Sequence, residues 1–88
     1  MPTPKLDEDK LGAALAVVIA EARFKRGLSR NELAVKTGFH RSYVGDIETG
    51  VRAISIKTLS RLAQALEVSA SKLMAAAERR VREENEST

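Results

Sequence analysis

The chain has 88 residues, of which 43% are hydrophobic, 31% are charged and 3% are aromatic, and it contains no cysteine. This length suits one domain, and a core with few aromatic residues favours packed helices over a β-sandwich. The missing cysteines exclude disulfides and thiolate metal sites, and the single histidine excludes a histidine pair. We therefore expect neither a metal nor a cofactor.

The net charge of +3 is concentrated in the middle of the chain. Nine basic and three acidic residues lie from Arg23 to Arg61, a net charge of +6, whereas residues 1–22 and 62–88 are each weakly acidic. A basic middle segment favours a polyanionic partner, although chance clustering on a solvated surface would give the same composition.

The longest uncharged run extends from Leu11 to Ala20, which is too short to cross a bilayer. The residues before it, from Asp7 to Asp9, are acidic, whereas a signal peptide would be basic there. We therefore expect a cytoplasmic protein with no membrane partner.

The N-terminal third of the chain predicts an arm followed by one long helix. Residues 1–9, which contain both prolines, are expected to form a flexible arm. A first helix is predicted over Lys10–Arg26 and ends before Gly27. Its apolar positions recur at helical spacing, namely Leu11, Leu15, Ile19 and Ala22.

Two short helices are predicted next, on either side of a turn. Ser29 and Glu32 form a capping box at the start of a helix over residues 30–37, which Gly38 ends. A turn of three to four residues leads to a third helix over residues 41–49, which ends at Gly50.

The C-terminal part predicts two more helices, over Ile56–Leu66 and Ala70–Glu83, capped by Ser55 and Ser69. Their apolar residues again form stripes at helical spacing. One domain over residues 10–84 and a disordered tail over residues 85–88 follow from this pattern.

The segments Gly27–Ala34, Thr37–Gly38 and Arg41–Gly50 resemble the helix-turn-helix of the Cro and phage-repressor type, often called the XRE family. Ser55–Leu59 and Leu62–Ser69 match the same pattern. The resemblance covers residues 11–77 and implies an all-α, five-helix, lambda-repressor-like DNA-binding domain with the motif at helices two and three. Within this family, the chain looks somewhat like the controller proteins of restriction–modification systems at Arg41-Ser42-Tyr43, at Arg52 and at Ser55-Ile56-Lys57.

The resemblance implies base-reading roles at three positions of the third helix. Arg41 and Ser42 open this recognition helix, and Asp46 lies one turn further on. Arginine at such a position can pair with both acceptors of guanine. A carboxylate at Asp46 can accept only from a cytosine amino group, and it could instead orient Arg41 or Arg30.

The resemblance also implies phosphate contacts and one structural ion pair. Four residues match phosphate-contacting positions of the family: Arg30, Tyr43, Arg52 and Lys57. For Arg52 and Lys57 the alternative is that they are merely exposed cations. Arg23 and Glu48 match a partly buried ion pair between the first and third helices.

Two residues depart from the family pattern. Gly45 lies inside the recognition helix, where glycine is unfavourable, and it could allow close approach to DNA. His40 stands at the N-cap position, where Ser, Thr or Asp is usual, and is expected to touch a phosphate or merely to end the turn.

The first helix is apolar beyond its core stripe, and the fifth helix is longer than a minimal domain needs. These features predict a dimer interface formed by Val17, Val18, Leu73, Met74 and Val81. The alternative is that the fifth helix covers the first within one chain.

The function predicted from these observations is sequence-specific double-stranded DNA binding. The chain would act as a homodimeric transcriptional regulator or repressor on a pseudo-palindromic operator, at the nucleoid of a bacterium or on phage DNA. The alternative is a module of the same fold whose main partner is a protein, as in antitoxins or coactivators. An enzyme is disfavoured, because the sequence has no metal-ligand spacing, phosphate loop or catalytic triad.

Overall fold

The structure is a computed structural model that describes residues 7–86. Within this range it contains five helices and no strand: α1 (Glu8–Lys25), α2 (Arg30–Thr37), α3 (Arg41–Glu48), α4 (Ile56–Leu66) and α5 (Ala70–Glu86). The predicted all-α, five-helix fold is confirmed.

The two long helices extend further than the sequence predicted. Asp7 caps α1 by accepting a hydrogen bond from the Lys10 amide at 3.1 Å, so Glu8 and Asp9 form its first turn and are not part of an arm. At the other end, α5 continues to Glu86, so Asn85 is helical and not part of a tail. The remainder of the predicted arm and tail, residues 1–6 and 87–88, lies outside the described residues.

One apolar core joins all five helices. The helix pair α2 and α3 packs on α1 and α4, and α5 packs along α1. The stripe predicted on α4 is buried, with Leu62 and Leu66 almost fully covered. The largest fully buried side chains come from four helices: Ile19, Leu33, Val44, Ile47, Leu62 and Leu66.

The helix α5 runs antiparallel to α1 and covers it within the same chain. The Lys10 ammonium, at the start of α1, donates to the Asn85 side-chain oxygen near the end of α5 at 3.1 Å. The Arg80 guanidinium pairs with Glu21 at 3.2 Å. Helix α5 therefore covers the apolar surface of α1 that the sequence predicted a second chain to cover.

For this reason, the predicted dimer interface is wrong at three of its five residues. Val18, Leu73 and Val81 are 8%, 3% and 9% exposed and belong to the core of one chain, so they offer almost no surface to a second copy. Val17, which is 37% exposed, and the half-buried Met74 remain at the surface.

Arg26 fastens the end of α4 to the end of α1. Its guanidinium donates to the carbonyl oxygens of Leu66 at 2.9 Å and Glu67 at 3.2 Å. These carbonyls are left without an amide partner at a helix end, and the arginine provides the missing donors. These two hydrogen bonds hold α4 in place next to the motif formed by α2 and α3.

Candidate nucleic-acid interface

The start of α2 is held by the predicted capping box. The Ser29 hydroxyl accepts from the Glu32 amide at 3.0 Å, and the Glu32 carboxylate accepts from the Ser29 amide at 2.9 Å. This hydrogen bond from the backbone holds the pKa of Glu32 below its ordinary value. Gly38 ends α2 with a φ of 78°, a backbone conformation that suits glycine.

The start of α3 is capped by a histidine ring. The Nδ1 atom of His40 accepts from the Ser42 amide at 3.2 Å and lies 2.7 Å from the Ser42 hydroxyl. Accepting from the amide requires a lone pair on Nδ1, so in this arrangement the ring proton is on Nε2. His40 therefore replaces the usual Ser, Thr or Asp cap, a role that the sequence analysis missed.

Helix α3 is tied to α1 by a buried ion pair. Arg23 donates to both oxygens of Glu48, at 2.7 Å from Nε and at 3.0 Å from Nη2. The Glu48 side chain is fully buried and that of Arg23 is 9% exposed. Arg23 also donates to the Leu28 carbonyl at 2.8 Å, and the hydrogen bond to Glu48 raises the pKa of Arg23.

Glu48 also holds Arg30, at the start of α2. The Arg30 Nε atom lies 3.1 Å from Glu48 Oε1, while 47% of the Arg30 side chain stays exposed. One buried carboxylate thus binds a scaffold arginine and an arginine that faces solvent. The carboxylate of the structural ion pair thus also orients Arg30, which the sequence predicted to contact phosphate.

Arg41 and Ser42 lie at the exposed start of α3, close to Arg30. With Ser29, Asn31 and Gly45 these residues line an open depression of about 460 Å³ between the first turns of α2 and α3. The amide ends of both helices favour anions, and two arginines line the depression. Arg41 has no ion-pair partner within residues 7–86, so its guanidinium remains available to a ligand.

Asp46 is engaged by Arg52 and not by Arg41 or Arg30. Its Oδ2 atom lies 3.3 Å from Arg52 Nε, in the loop that follows α3. The Arg52 guanidinium also lies 5.4 Å from the centre of the Tyr43 ring. Asp46, Arg52 and Tyr43 thus form a cluster that is separate from the depression lined by Arg30 and Arg41.

Tyr43 is anchored to the start of α4. Its hydroxyl lies 3.1 Å from the Thr58 hydroxyl, which accepts from Ser55 at 3.0 Å. The Tyr43 ring packs edge-on against Phe39, with ring centres 5.0 Å apart. Lys57 lies exposed in the first turn of α4. The sequence analysis missed Thr58, because only the fold brings it next to Tyr43.

Two other kinds of site, a membrane span and a metal centre, are not found within residues 7–86. No helix there is long and apolar enough to cross a membrane. The same part of the chain contains no group of three or more histidine or carboxylate side chains arranged to hold a metal ion. The concentration of arginines around the two capped helix starts is the feature that distinguishes this surface.

Comparison with known proteins agrees with this geometry. The family model described as helix-turn-helix matches residues 19–73, which extend from the middle of α1 to the start of α5. The chain belongs to the helix-turn-helix family. The predicted resemblance to the XRE type and to controller proteins is confirmed.

This helix-turn-helix protein is 38% identical over 60 residues to the control protein C.SmaI of Serratia marcescens, an alignment covering 68% of this chain and 71% of the relative. It is 43% identical over 58 residues to the ImmF control region 10 kDa protein of Bacillus phage phi105, covering 66% of this chain and 60% of the phage protein.

Solved structures of controller proteins share the fold. The restriction–modification controller protein C.AhdI of Aeromonas hydrophila superposes with a TM-score of 0.67 at 36% identity, covering 69% of this chain and 92% of that one. The controller protein C.Esp1396I, solved as a tetramer with its natural 35 base-pair operator, has a TM-score of 0.73 at 29% identity, covering 78% and 91%.

Proposed function

We propose that this helix-turn-helix protein is a sequence-specific transcriptional regulator that binds a pseudo-palindromic operator as a homodimer. The observation that carries this proposal is the depression lined by Arg30, Arg41 and Ser42, which lies on two capped helices locked to the core through Glu48. A rigid scaffold that presents unpaired donors to solvent suits a ligand with many acceptors.

The roles of the side chains follow from their exposure and partners. Arg41, exposed and without an ion-pair partner among the described residues, would donate to both acceptors of a guanine in the major groove. Ser42 would contact the neighbouring base edge. Arg30, Tyr43, Arg52 and Lys57 would contact phosphates on either side and set the orientation of α3 on the duplex.

Two copies on one duplex are compatible with the dimensions of the chain. The molecule measures 44 × 22 × 22 Å. Recognition helices in successive major grooves stand about 34 Å apart. This spacing lies between the short and long dimensions of one copy, so two copies can touch while both bind DNA. The operator-bound tetramer of the relative C.Esp1396I supports an oligomer of this kind.

Such a regulator would work in the cytoplasm, at the nucleoid or on phage DNA. Its similarity to control proteins and a phage control-region protein supports a regulatory and not an enzymatic role. The alternative, a module of this fold whose main partner is a protein, leaves the capped depression and its two arginines without a ligand.

Selection of bound duplexes from a random pool tests the proposal. We expect a pseudo-palindromic consensus, two copies per selected duplex by sedimentation, and affinity that falls steeply with salt as several phosphates are neutralised. A pool that yields no consensus and no binding even at low salt would favour the protein-partner alternative. One copy per duplex at full affinity would refute the homodimer.

A further inference from the structure

The side chain of Asp46 has a partner that its position in the family pattern does not predict. One carboxylate oxygen lies 3.3 Å from the Nε atom of Arg52, and both side chains are partly exposed, at 41% and 58%. The Asp46 backbone carbonyl also accepts from the amides of Val51 at 2.9 Å and Arg52 at 3.4 Å. Backbone and side chain of Asp46 together fold the loop back onto α3.

The Arg52 guanidinium makes a second contact, with an aromatic ring. It lies 5.4 Å from the centre of the Tyr43 ring, within the range of a cation–π interaction. Tyr43 is itself fixed by its hydroxyl, which bonds to Thr58 at the start of α4. Arg52 therefore contacts both a carboxylate and an aromatic ring, although the loop that carries it has no regular structure.

This arrangement changes what Asp46 can do at a DNA surface. A carboxylate has only acceptors, and next to phosphates its negative charge is unfavourable unless a cation neutralises it. A contact with Nε leaves both terminal nitrogens of Arg52 available for phosphate oxygens. The guanidinium is then oriented before DNA arrives, which lowers the entropy lost on binding.

We infer that Asp46 is a positioning residue for Arg52 and reads no base, which confines direct base reading by this chain to the first turn of α3, at Arg41 and Ser42. The inference rests on the proposed function, since it assigns roles within the same interface. It also replaces the expectation, drawn from the family resemblance, that Asp46 faces a cytosine.

A double-mutant cycle on DNA binding tests the inference. Affinities for a selected duplex are measured for wild type, Asp46→Ala, Arg52→Ala and the double variant. We expect Asp46→Ala to weaken binding about two- to fivefold more when Arg52 is present than when it is absent, the range expected of an exposed pair. Lys57→Ala is the matched control and should combine with Asp46→Ala additively.

A second selection, with Asp46→Ala, tests the base-reading part. We expect the same consensus as wild type, with the affinity change spread evenly over all sequences. Additivity between Asp46→Ala and Arg52→Ala, or a changed preference at any base pair for Asp46→Ala, would overturn the inference.

A measurement without DNA separates this inference from the proposed function. The side-chain Nε–H signal of Arg52 in ¹H–¹⁵N spectra should shift in Asp46→Asn, while that of Arg61 should stay in place. An unmoved Arg52 signal would show that the pair is absent and would overturn the inference. If wild type binds no duplex at all, the proposed function fails, and this spectrum alone decides whether the pair exists.

Discussion

Glu48 is the side chain on which the interface depends most. It is fully buried and accepts from two arginines, one in α1 and one at the start of α2. A buried carboxylate is tolerated only when its oxygens are satisfied, and here three guanidinium nitrogens donate to it. The same residue therefore stabilises the fold and orients Arg30.

Substituting Glu48 by alanine should lower the free energy of unfolding by about 3–5 kcal/mol, because Arg23 would be left buried without its partner. Arg30→Ala should cost no more than about 1 kcal/mol, since half of that side chain already faces water. Urea denaturation of Glu48→Ala, Arg23→Ala and the double variant measures the coupling. Losses that simply add would show that the pair contributes nothing as a pair.

Within α3, the fold does not explain why position 45 is a glycine. A Cβ at this position would meet only the Arg30 Nη1 atom, at an ordinary distance of 3.8 Å. Alanine therefore fits, and it should raise the free energy of unfolding by about 0.5–1 kcal/mol because it favours the helix. We expect the same variant to bind the selected duplex more weakly, because the added methyl group faces the depression that we assign to DNA.

Thermal denaturation and DNA titration of Gly45→Ala measure these two effects separately. Gly12→Ala, at another open helical position away from the depression, is the control and should affect stability alone. Unchanged DNA affinity in Gly45→Ala would show that glycine is not required for close approach of α3.

The capping box of α2 should make stability depend on acid pH. Because the pKa of Glu32 is lowered in the folded chain, the capping box stabilises the fold above the ordinary pKa of glutamate. That contribution is lost as the pH falls through the lowered value. Melting temperatures of wild type and Glu32→Gln, from about pH 6 to about pH 2, should therefore converge as the pH falls. A constant difference would exclude the ionised carboxylate as the cause.

Local signals predicted the elements well where capping residues mark them. The ranges of α2 and α4 agree with the sequence, because Ser29, Gly38 and Ser55 act at their own helix ends. The start of α1 was missed because the cap, Asp7, lies in a run of acidic residues that was interpreted as part of an arm. The His40 cap was missed because histidine is not among the usual capping residues.

Local sequence signals could not predict contacts between residues that are far apart in the chain. Helical spacing places Val18 on an apolar face of α1 and Leu73 on an apolar face of α5. It cannot show whether these two faces pack on each other within one chain or on a second chain. The pairing of Arg23 with Glu48 was available only through the family resemblance. The contact between Asp46 and Arg52 had no counterpart in that resemblance and required the structure.

The proposed homodimer would have to use molecular surface that α5 leaves uncovered. Val17 and Met74 are the residues of the predicted set that remain there. Met74→Glu should therefore shift sedimentation at micromolar concentration toward the monomer, because a charge placed in an apolar contact is unfavourable. Val35→Glu, at a position on α2 that is 83% exposed, should leave the dimer unchanged.

A dimer that persists in both Met74→Glu and Val17→Glu would place the interface elsewhere on the molecule. Loss of folded structure in either variant, checked by circular dichroism, would instead mean that these side chains contribute to the core of one chain.

Arg41 is proposed to read a base at the start of α3. Fluorescence anisotropy of wild type and Arg41→Ala tests this role on three duplexes: the selected duplex, a variant changed at one base pair per half-site, and random DNA. We predict that Arg41→Ala weakens binding to the selected duplex by about 1–3 kcal/mol and abolishes the preference at that base pair alone. Equal weakening on all three duplexes would contradict the claim and make Arg41 a phosphate contact.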